Sequence, residues 1–223
     1  MTASMLQSFA ATFTITNVND AGAGSFRQAI IDANTNTGTD VINFSISGVG
    51  PYIIALASPL PDISDLGGVL IDGYSQAGSS VNTVDIFSIS VATPLNSQPM
   101  IVLRGNDNMN GVIVTGNNTT IQGIIFQNFG INSVTTTWDI ELNGRGNMVK
   151  GCWFEIQADG ADYVRLLSNG VSDNKCYYGV HIGGIDNKIG DGTPSGINWI
   201  SGPSQIGGAG IWFKGGGWSN HPG

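Results

Sequence analysis

Three carboxylates and one arginine form the group in this sequence best suited to acid–base chemistry. Asp139 and Glu141 are two positions apart in an alternating segment, so a β-strand would place both side chains on one face. Glu155 follows in the next apolar segment, and Arg145 lies between the two segments. Paired carboxylates that protonate a leaving oxygen and activate a water cleave glycosidic bonds. The alternative interpretation is a solvated strand face, where acidic residues are common.

Aromatic residues lie close to these acids in the sequence. Trp138, Trp153 and Tyr163 are the candidates for stacking on sugar rings, because an aromatic face offers a flat apolar surface with a polar edge. Together with the carboxylates, they indicate a carbohydrate as the ligand class, whether it is bound only or also cleaved.

Metal chemistry has less support. In the segment 179–184, alternation turns His181 away from its apolar neighbours, and the second histidine, His221, lies 40 residues further on. Asp186 and Asp191 are followed by Asn and Gly, which is typical of turns. We therefore expect no cofactor and no metal site, with calcium bound at these turns as the alternative.

Composition restricts the class of protein. Of 223 residues 41% are hydrophobic, only 11% are charged and 33 are Gly, which disfavours both disorder and helical bundles. The net charge of −8 argues against nucleic acid, and no apolar run is long enough to span a membrane. The spacing of Cys152 and Cys176 fits no zinc motif; a disulfide, a free buried pair and two stacked interior positions all remain open.

One helix and many short strands must position these side chains. Ser25 is a helix-capping residue type, and the apolar stripe that follows predicts a short helix over residues 25–34. From residue 41 the apolar period becomes two, which predicts strands separated by Gly and Pro. Residues 75–99 are polar and are predicted to form a surface excursion with a strand at 86–91.

A repeat begins after Met100. Four short alternating segments that end in Gly start at residues 111, 139, 179 and 210, which are 28, 40 and 31 residues apart. A recurring strand–turn–strand unit of this length is typical of a solenoid. We therefore predict an all-β parallel β-helix, in which Val112, Ile140 and Val180 stack in apolar rows and Gly and Asn occupy the corners.

The domain organisation follows from this repeat. We expect residues 1–11 to be a disordered or processed leader and residues 12–223 to form a single β-helix domain. Within it, residues 12–40 form an N-terminal cap whose short helix covers one end of the solenoid. No capping pattern follows the last repeat, so we expect further repeats, or another chain, at the C-terminal end.

The chain resembles the N-terminal region of secreted bacterial right-handed parallel β-helix proteins related to polymorphic outer-membrane and autotransporter-like adhesins. The motifs that carry the resemblance are FTITN at 13–17, DAGAGSFRQAIIDAN at 20–34, DVINFS at 40–45, LIDGYSQ at 70–76, TIQGII at 120–125 and GVHIGGIDNKIG at 179–190. The resemblance implies a right-handed β-helix with a short N-terminal capping helix, and a secreted or cell-surface location. It implies no catalytic signature.

Two functions follow as expectations. The first is a structural or adhesive module that presents loops, including residues 75–99, to a glycan, a surface or a protein partner. The second is a polysaccharide lyase or glycoside hydrolase that uses Asp139, Glu141 and Glu155 with Arg145 as the basic group. A groove in which these carboxylates converge would favour the enzyme.

Overall fold

The computed structural model describes residues 9–89, 94–106, 109–129, 137–160, 165–166, 172–173, 178–200 and 209–213. Within these ranges the chain is mostly β-strand, with one α-helix, α1 (Phe26–Thr35). The strands are β1 (Thr12–Ile15), β2 (Asp40–Phe44), β3 (Tyr52–Ala55), β4 (Val69–Asp72), β5 (Ile101–Arg104), β6 (Val112–Val114), β7 (Thr120–Gln122), β8 (Ile124–Gln127), β9 (Trp138–Leu142), β10 (Met148–Lys150), β11 (Trp153–Phe154), β12 (Arg165–Leu166), β13 (Ser172–Asp173), β14 (Tyr178–Ile182), β15 (Lys188–Ile189), β16 (Trp199–Ile200) and β17 (Ala209–Phe213).

Three sheets contain all but two of these strands. The first sheet has the order β1-β2-β4-β7-β10-β15, the second β3-β5-β8-β11-β16, and the third β6-β9-β14-β17. Every pair within the three sheets is parallel, whereas β12 and β13 form a separate antiparallel pair. In each sheet the spatial order follows the chain order, so each repeat of the sequence adds one strand. The prediction of a chain built mainly from parallel strands is confirmed.

The strand register aligns apolar side chains in rows. Ile140 is paired with Val112 on one side and with Val180 on the other, as the repeat predicts. The corresponding row of the first sheet passes through Ile71 and Ile121, and residues from all three sheets contribute to one hydrophobic core. Burial of these β-branched side chains is the main stabilising contribution to the structure.

The helix forms where the sequence predicts it. Ser25 caps α1, since its hydroxyl accepts a hydrogen bond from the backbone N–H of Gln28 at 3.2 Å. The buried stripe of α1 packs on β1 and β2 at the end of the first sheet. Ala11, which we assigned to the leader, hydrogen-bonds to Asp40 and Val41 of β2, so regular pairing begins before residue 12. No helix in the described ranges is both long enough and apolar enough to cross a lipid bilayer.

An asparagine ladder fixes the corner between the third and the first sheet. The carboxamide oxygen of Asn147 accepts from the backbone N–H of Thr119 at 2.8 Å, and its amide donates to the carbonyl of Gly116 at 3.1 Å. Asn187 repeats this arrangement between the next strands of the two sheets, β14 and β15. Its carboxamide oxygen accepts a hydrogen bond from the backbone N–H of Asn147 at 2.8 Å. A carboxamide supplies the acceptor and the donor that a buried backbone corner needs, which explains why Asn recurs at these positions.

The excursion at residues 75–99 follows a course that the sequence did not predict. Asn82 donates to the carbonyl of Pro194 at 2.9 Å, and Ser97 accepts from the indole N–H of Trp153 at 3.1 Å. The expected strand at 86–91 is wrong for Ile86–Ser88, which form a 3-10 turn capped by Asp85. The excursion therefore lies against the second sheet and reaches the repeat that begins at residue 179.

Cys152 is a buried free thiol, and burial raises its pKa to about 12. Of the alternatives left open by the sequence, the structure excludes a disulfide at Cys152. Cys176 lies outside the described residues.

Candidate functional site

The best-defined polar cluster lies on the face of the third sheet that points away from the core. The register pairs Glu141 of β9 with His181 of β14, and His181 in turn with Trp212 of β17. Glu141 Oε1 and His181 Nδ1 are 3.1 Å apart. Such a contact fixes the orientation of the imidazole ring, as carboxylates do for catalytic or metal-binding histidines.

An indole ring completes this cluster. Trp138 stacks on the imidazole of His181, with 4.1 Å between ring centroids and 13° between ring planes. Both residues are buried, and the side chain of Glu141 is 18% exposed. The Trp138–Glu141–His181 cluster is therefore well ordered by packing but offers little open surface to a ligand.

Asp139 differs from the solvated-face interpretation. It shares the outer face of β9 with Glu141, as alternation predicts, since Ile140 and Leu142 point into the core. However, Asp139 has no solvent exposure. The carboxylate is therefore enclosed, and a substrate could not contact it in this conformation.

Glu155 lies in another part of the fold. It follows β11 of the second sheet with a positive φ of 55°, and its Oε1 accepts a hydrogen bond from the backbone N–H of Asn128 at 2.9 Å. Burial raises the pKa of Glu155 to about 8, despite the opposing effect of this hydrogen bond and of Arg104. Its Oε2 has no hydrogen-bond partner among the described residues. The carboxyl group is thus enclosed and protonated at neutral pH.

Arg145, the basic candidate, also has a partner other than the predicted carboxylates. Arg145 forms an ion pair with Asp186 at 2.8 Å, and both side chains are more than half exposed. Lys150 pairs with Asp191 at 3.0 Å, and a hydrogen bond from the Thr193 hydroxyl is the main cause that lowers the pKa of Asp191 to about 2. Both turn aspartates proposed as calcium ligands therefore have cationic partners.

The aromatic candidates are placed differently from one another. Trp153 is buried on the outer side of the second sheet, in edge contact with Trp199 at 5.2 Å between centroids. Its indole N–H donates a hydrogen bond to the hydroxyl of Ser97. Tyr163 lies outside the described residues. Neither described indole has an open ring face ready for a sugar.

Three of the four predicted residues thus have separate partners in different parts of the fold. Glu141 pairs with His181, Glu155 with Asn128 and Arg145 with Asp186. In the described ranges, no three His, Cys, Asp or Glu side chains are grouped so as to hold a metal ion.

His181 is the functional candidate whose partner sequence reasoning missed. The signal was present, because Glu141 and His181 occupy the same position in the aligned segments 139–144 and 179–184. Stacking these segments in register places the two side chains next to each other, which residue type alone does not reveal.

Comparison with known proteins adds no family assignment at this point. No family model matches the chain, and no curated protein is significantly similar to it in sequence.

Proposed function

We propose that this chain is a right-handed parallel β-helix module that acts as a non-catalytic scaffold at the bacterial cell surface or in the medium. Its role is to present its corners and the 75–99 excursion to a glycan or another surface partner. The location rests on the resemblance to secreted β-helix adhesins.

The β-helix is supported by the place where the inner rows of the three sheets meet. Among the described residues, these rows reach Ile189 in the first sheet, Ile200 in the second and Ile211 in the third. All three residues line one cavity of about 360 Å³. Rows on three sheets that converge on one cavity are what a single coiled core would give. Chain order within each sheet supports the same architecture.

The separate partners of the candidate catalytic residues carry the non-catalytic assignment. A glycoside hydrolase needs two carboxyl groups on opposite sides of one bond, within about 5–9.5 Å of each other. Here Glu141 is held by His181 on the third sheet, while Glu155 is enclosed where strand β11 of the second sheet ends. The solvent-facing corners of such a fold offer surface for contact with a partner.

The excursion offers an exposed aromatic contact residue for binding. Phe87, in its 3-10 turn, is 96% exposed, so its ring is open to contact with a partner. An aromatic ring at a loop tip suits contact with the apolar face of a sugar or with a protein groove.

Binding and adhesion assays test this proposal. The purified chain is applied to a glycan array and to bacterial and host cell surfaces, beside Phe87→Ser and the control Val49→Ser, which replaces a residue 98% exposed. We expect binding that is reduced at least about tenfold in Phe87→Ser, corresponding to about 1.4 kcal/mol. Binding that is absent, or equal in all three proteins, would contradict the proposed role of the excursion.

A polysaccharide-cleaving enzyme remains the second candidate, and one observation favours it. The pKa of Glu155, raised to about 8, is that of a group able to act as a general acid near neutral pH. A panel of polyuronic and neutral glycans is incubated with the chain and assayed for unsaturated or reducing ends. Release that is lost in Glu141→Gln or Glu155→Gln would overturn the non-catalytic assignment.

A further inference from the structure

The outer face of the first sheet is open to solvent on every one of its strands. On the second and third sheets, side chains at the centre of the outer face are buried, among them Ile125 and Asp139, both without solvent exposure. On the first sheet, by contrast, the outward-pointing side chains of all six strands are exposed or half-buried. Six parallel strands about 4.8 Å apart extend this open face over about 24 Å.

The strand register arranges these outward side chains in two rows that run across the strands. Residues two positions apart on each strand belong to different rows, which lie about 6–7 Å from each other. The first row consists of Thr12, Val41, Leu70, Thr120, Met148 and Lys188. The second row consists of Thr14, Asn43, Asp72, Gln122 and Lys150. The first row supplies aliphatic surface, and every residue of the second can form hydrogen bonds.

The charges of the second row are already balanced. Lys150 forms an ion pair with Asp191 at 3.0 Å, and the carboxylate of Asp72 accepts a hydrogen bond from the amide of Gln122 at 2.8 Å. The whole chain carries a net charge of −8. A polyanion would therefore be repelled by the molecule without a cationic row to offset the repulsion, whereas a neutral ligand meets no such penalty.

A linear neutral polysaccharide offers both kinds of surface that the two rows require. Its hydroxyl groups donate and accept hydrogen bonds, so they match carboxylate, carboxamide and hydroxyl side chains. The C–H faces of its sugar rings are apolar and match Val41, Leu70 and Met148. Because both rows cross the strands, an extended chain laid along them meets the same two surfaces at each successive strand.

We propose that the outer face of the first sheet binds a neutral, extended polysaccharide laid across the strands. Its hydroxyl groups contact the second row and its ring faces contact the aliphatic part of the first row. The proposal rests on glycan binding within the proposed function, and it adds a site separate from the excursion and from Phe87. Binding requires a chain that crosses several strands, so a disaccharide makes too few contacts.

Isothermal titration calorimetry with hexasaccharides from cellulose, mannan and xylan tests this site, with hexagalacturonate as the polyanion. We expect a neutral hexasaccharide to bind, its disaccharide to bind at least about tenfold more weakly, and hexagalacturonate not to bind. Asn43→Ala combined with Gln122→Ala should weaken binding at least about tenfold, because two outward carboxamides are lost. The matched control, Asn19→Ala combined with Gln98→Ala, removes two exposed carboxamides elsewhere and should bind like the wild type.

Footprinting of the unaltered chain covers the case in which the double variant folds poorly, as judged by circular dichroism. Oxidation by hydroxyl radicals, followed by mass spectrometry, should decrease at Leu70 and Met148 when the bound hexasaccharide is added, and should not change at Phe87.

Three results would overturn the proposal: no binding of any neutral hexasaccharide, tighter binding of hexagalacturonate, or binding without protection of Leu70 and Met148. Protection confined to Phe87, or attachment to cells without hexasaccharide binding, would overturn this site and leave the proposed adhesive function standing. Protection of Leu70 and Met148 together with unchanged binding in Phe87→Ser would support the site and contradict only the role of the excursion.

Discussion

Glu155 shows how a corner residue can carry an unsatisfied group in an otherwise well-paired fold. Its Oε2 and the carboxamide oxygen of Asn128 are both buried without a donor among the described residues. A buried acceptor without a donor is costly, and the cost is greater for a charged carboxylate than for a protonated one. Burial favours the protonated carboxyl group, since it raises the pKa of Glu155 from the usual 4.5 to about 8.

This shift makes stability depend on pH in a defined direction. Below about pH 4.5 both the folded and the unfolded chain carry the proton. Between pH 4.5 and 8 the unfolded chain loses its proton while the folded chain keeps it, so stability falls as pH rises. We expect Glu155→Gln to remove this fall and to raise the free energy of unfolding at pH 8 by on the order of 4 kcal/mol.

Urea unfolding of both proteins at a series of pH values measures the effect. The comparison at pH 4.5 is the internal control, because the two proteins should differ little there. A mutant whose stability follows the same pH dependence as the wild type would show that Glu155 is ionised in the folded chain.

At some corners between the sheets, the space available allows only glycine. A Cβ on Gly144 would collide with the backbone carbonyl oxygen of Gly116, and a Cβ on Gly184 with that of Gly144. Successive levels approach each other too closely there for any side chain, so the requirement is for space rather than for positive φ.

Replacing Gly144 should therefore destabilise the fold through overpacking. We expect Gly144→Ala to lower the free energy of unfolding by about 1–3 kcal/mol. Gly183→Ala is the control, because its Cβ would meet the end of the Asn143 side chain, which can rotate away. Equal losses in the two variants, measured by urea unfolding, would contradict this explanation.

At the scale of elements, the excursion acts as a cover for the second sheet. Val102, Ile125 and Trp153 form an apolar row on the outer side of that sheet, where strands of a half-exposed sheet would carry polar residues. Contact with residues of 75–99 explains why this face is apolar. The link from Asn82 to Pro194 holds the cover at its far end.

Removing that link should loosen the excursion without unfolding the sheets. We expect Asn82→Ala to accelerate proteolytic cleavage within residues 75–99 several-fold, because its carboxamide also organises the loop through Val84 and Asn96. Thr39→Ala, whose hydroxyl bonds a carbonyl at the exposed end of β2, is the control. Cleavage sites are identified by mass spectrometry; an unchanged cleavage rate would show that other contacts hold the segment.

These elements divide into those that sequence could predict and those that it could not. The register of Ile140 with Val112 and Val180, and the helix α1, follow from local periodicity and from the repeat. The burial of Asp139 and Glu155 could not be predicted, because it depends on which distant segment covers an outer face. Sequence spacing alone therefore grouped carboxylates that the fold distributes over two sheets.

At the scale of the whole molecule, stability depends on contacts between neighbouring parallel strands. Ile121 has a row neighbour on both sides and no solvent exposure, while Ile189 lies in the same row at its last level and is only partly buried. In a stack of repeats, an interior level contributes two interfaces and a terminal level only one.

Truncating the side chains of Ile121 and Ile189 should reveal this difference in their contributions to stability. At low protein concentration, Ile121→Ala should lower the free energy of unfolding by about 2–5 kcal/mol, and Ile189→Ala by less than half of that, because a partly open site leaves a smaller cavity. Thermal unfolding followed by circular dichroism makes the comparison. Equal losses would indicate that the last level is as tightly enclosed as the middle.

The contact between Asn82 and Pro194 also bears on the order in which the chain assembles. The two residues are 112 positions apart, whereas neighbouring levels join segments only about 30–40 residues apart. During synthesis, each level can settle on the one before it as soon as its own residues emerge. The excursion, made early, lacks its contact with Pro194 until residue 194 has appeared, so fastening this far end is a late step that follows formation of the preceding strands.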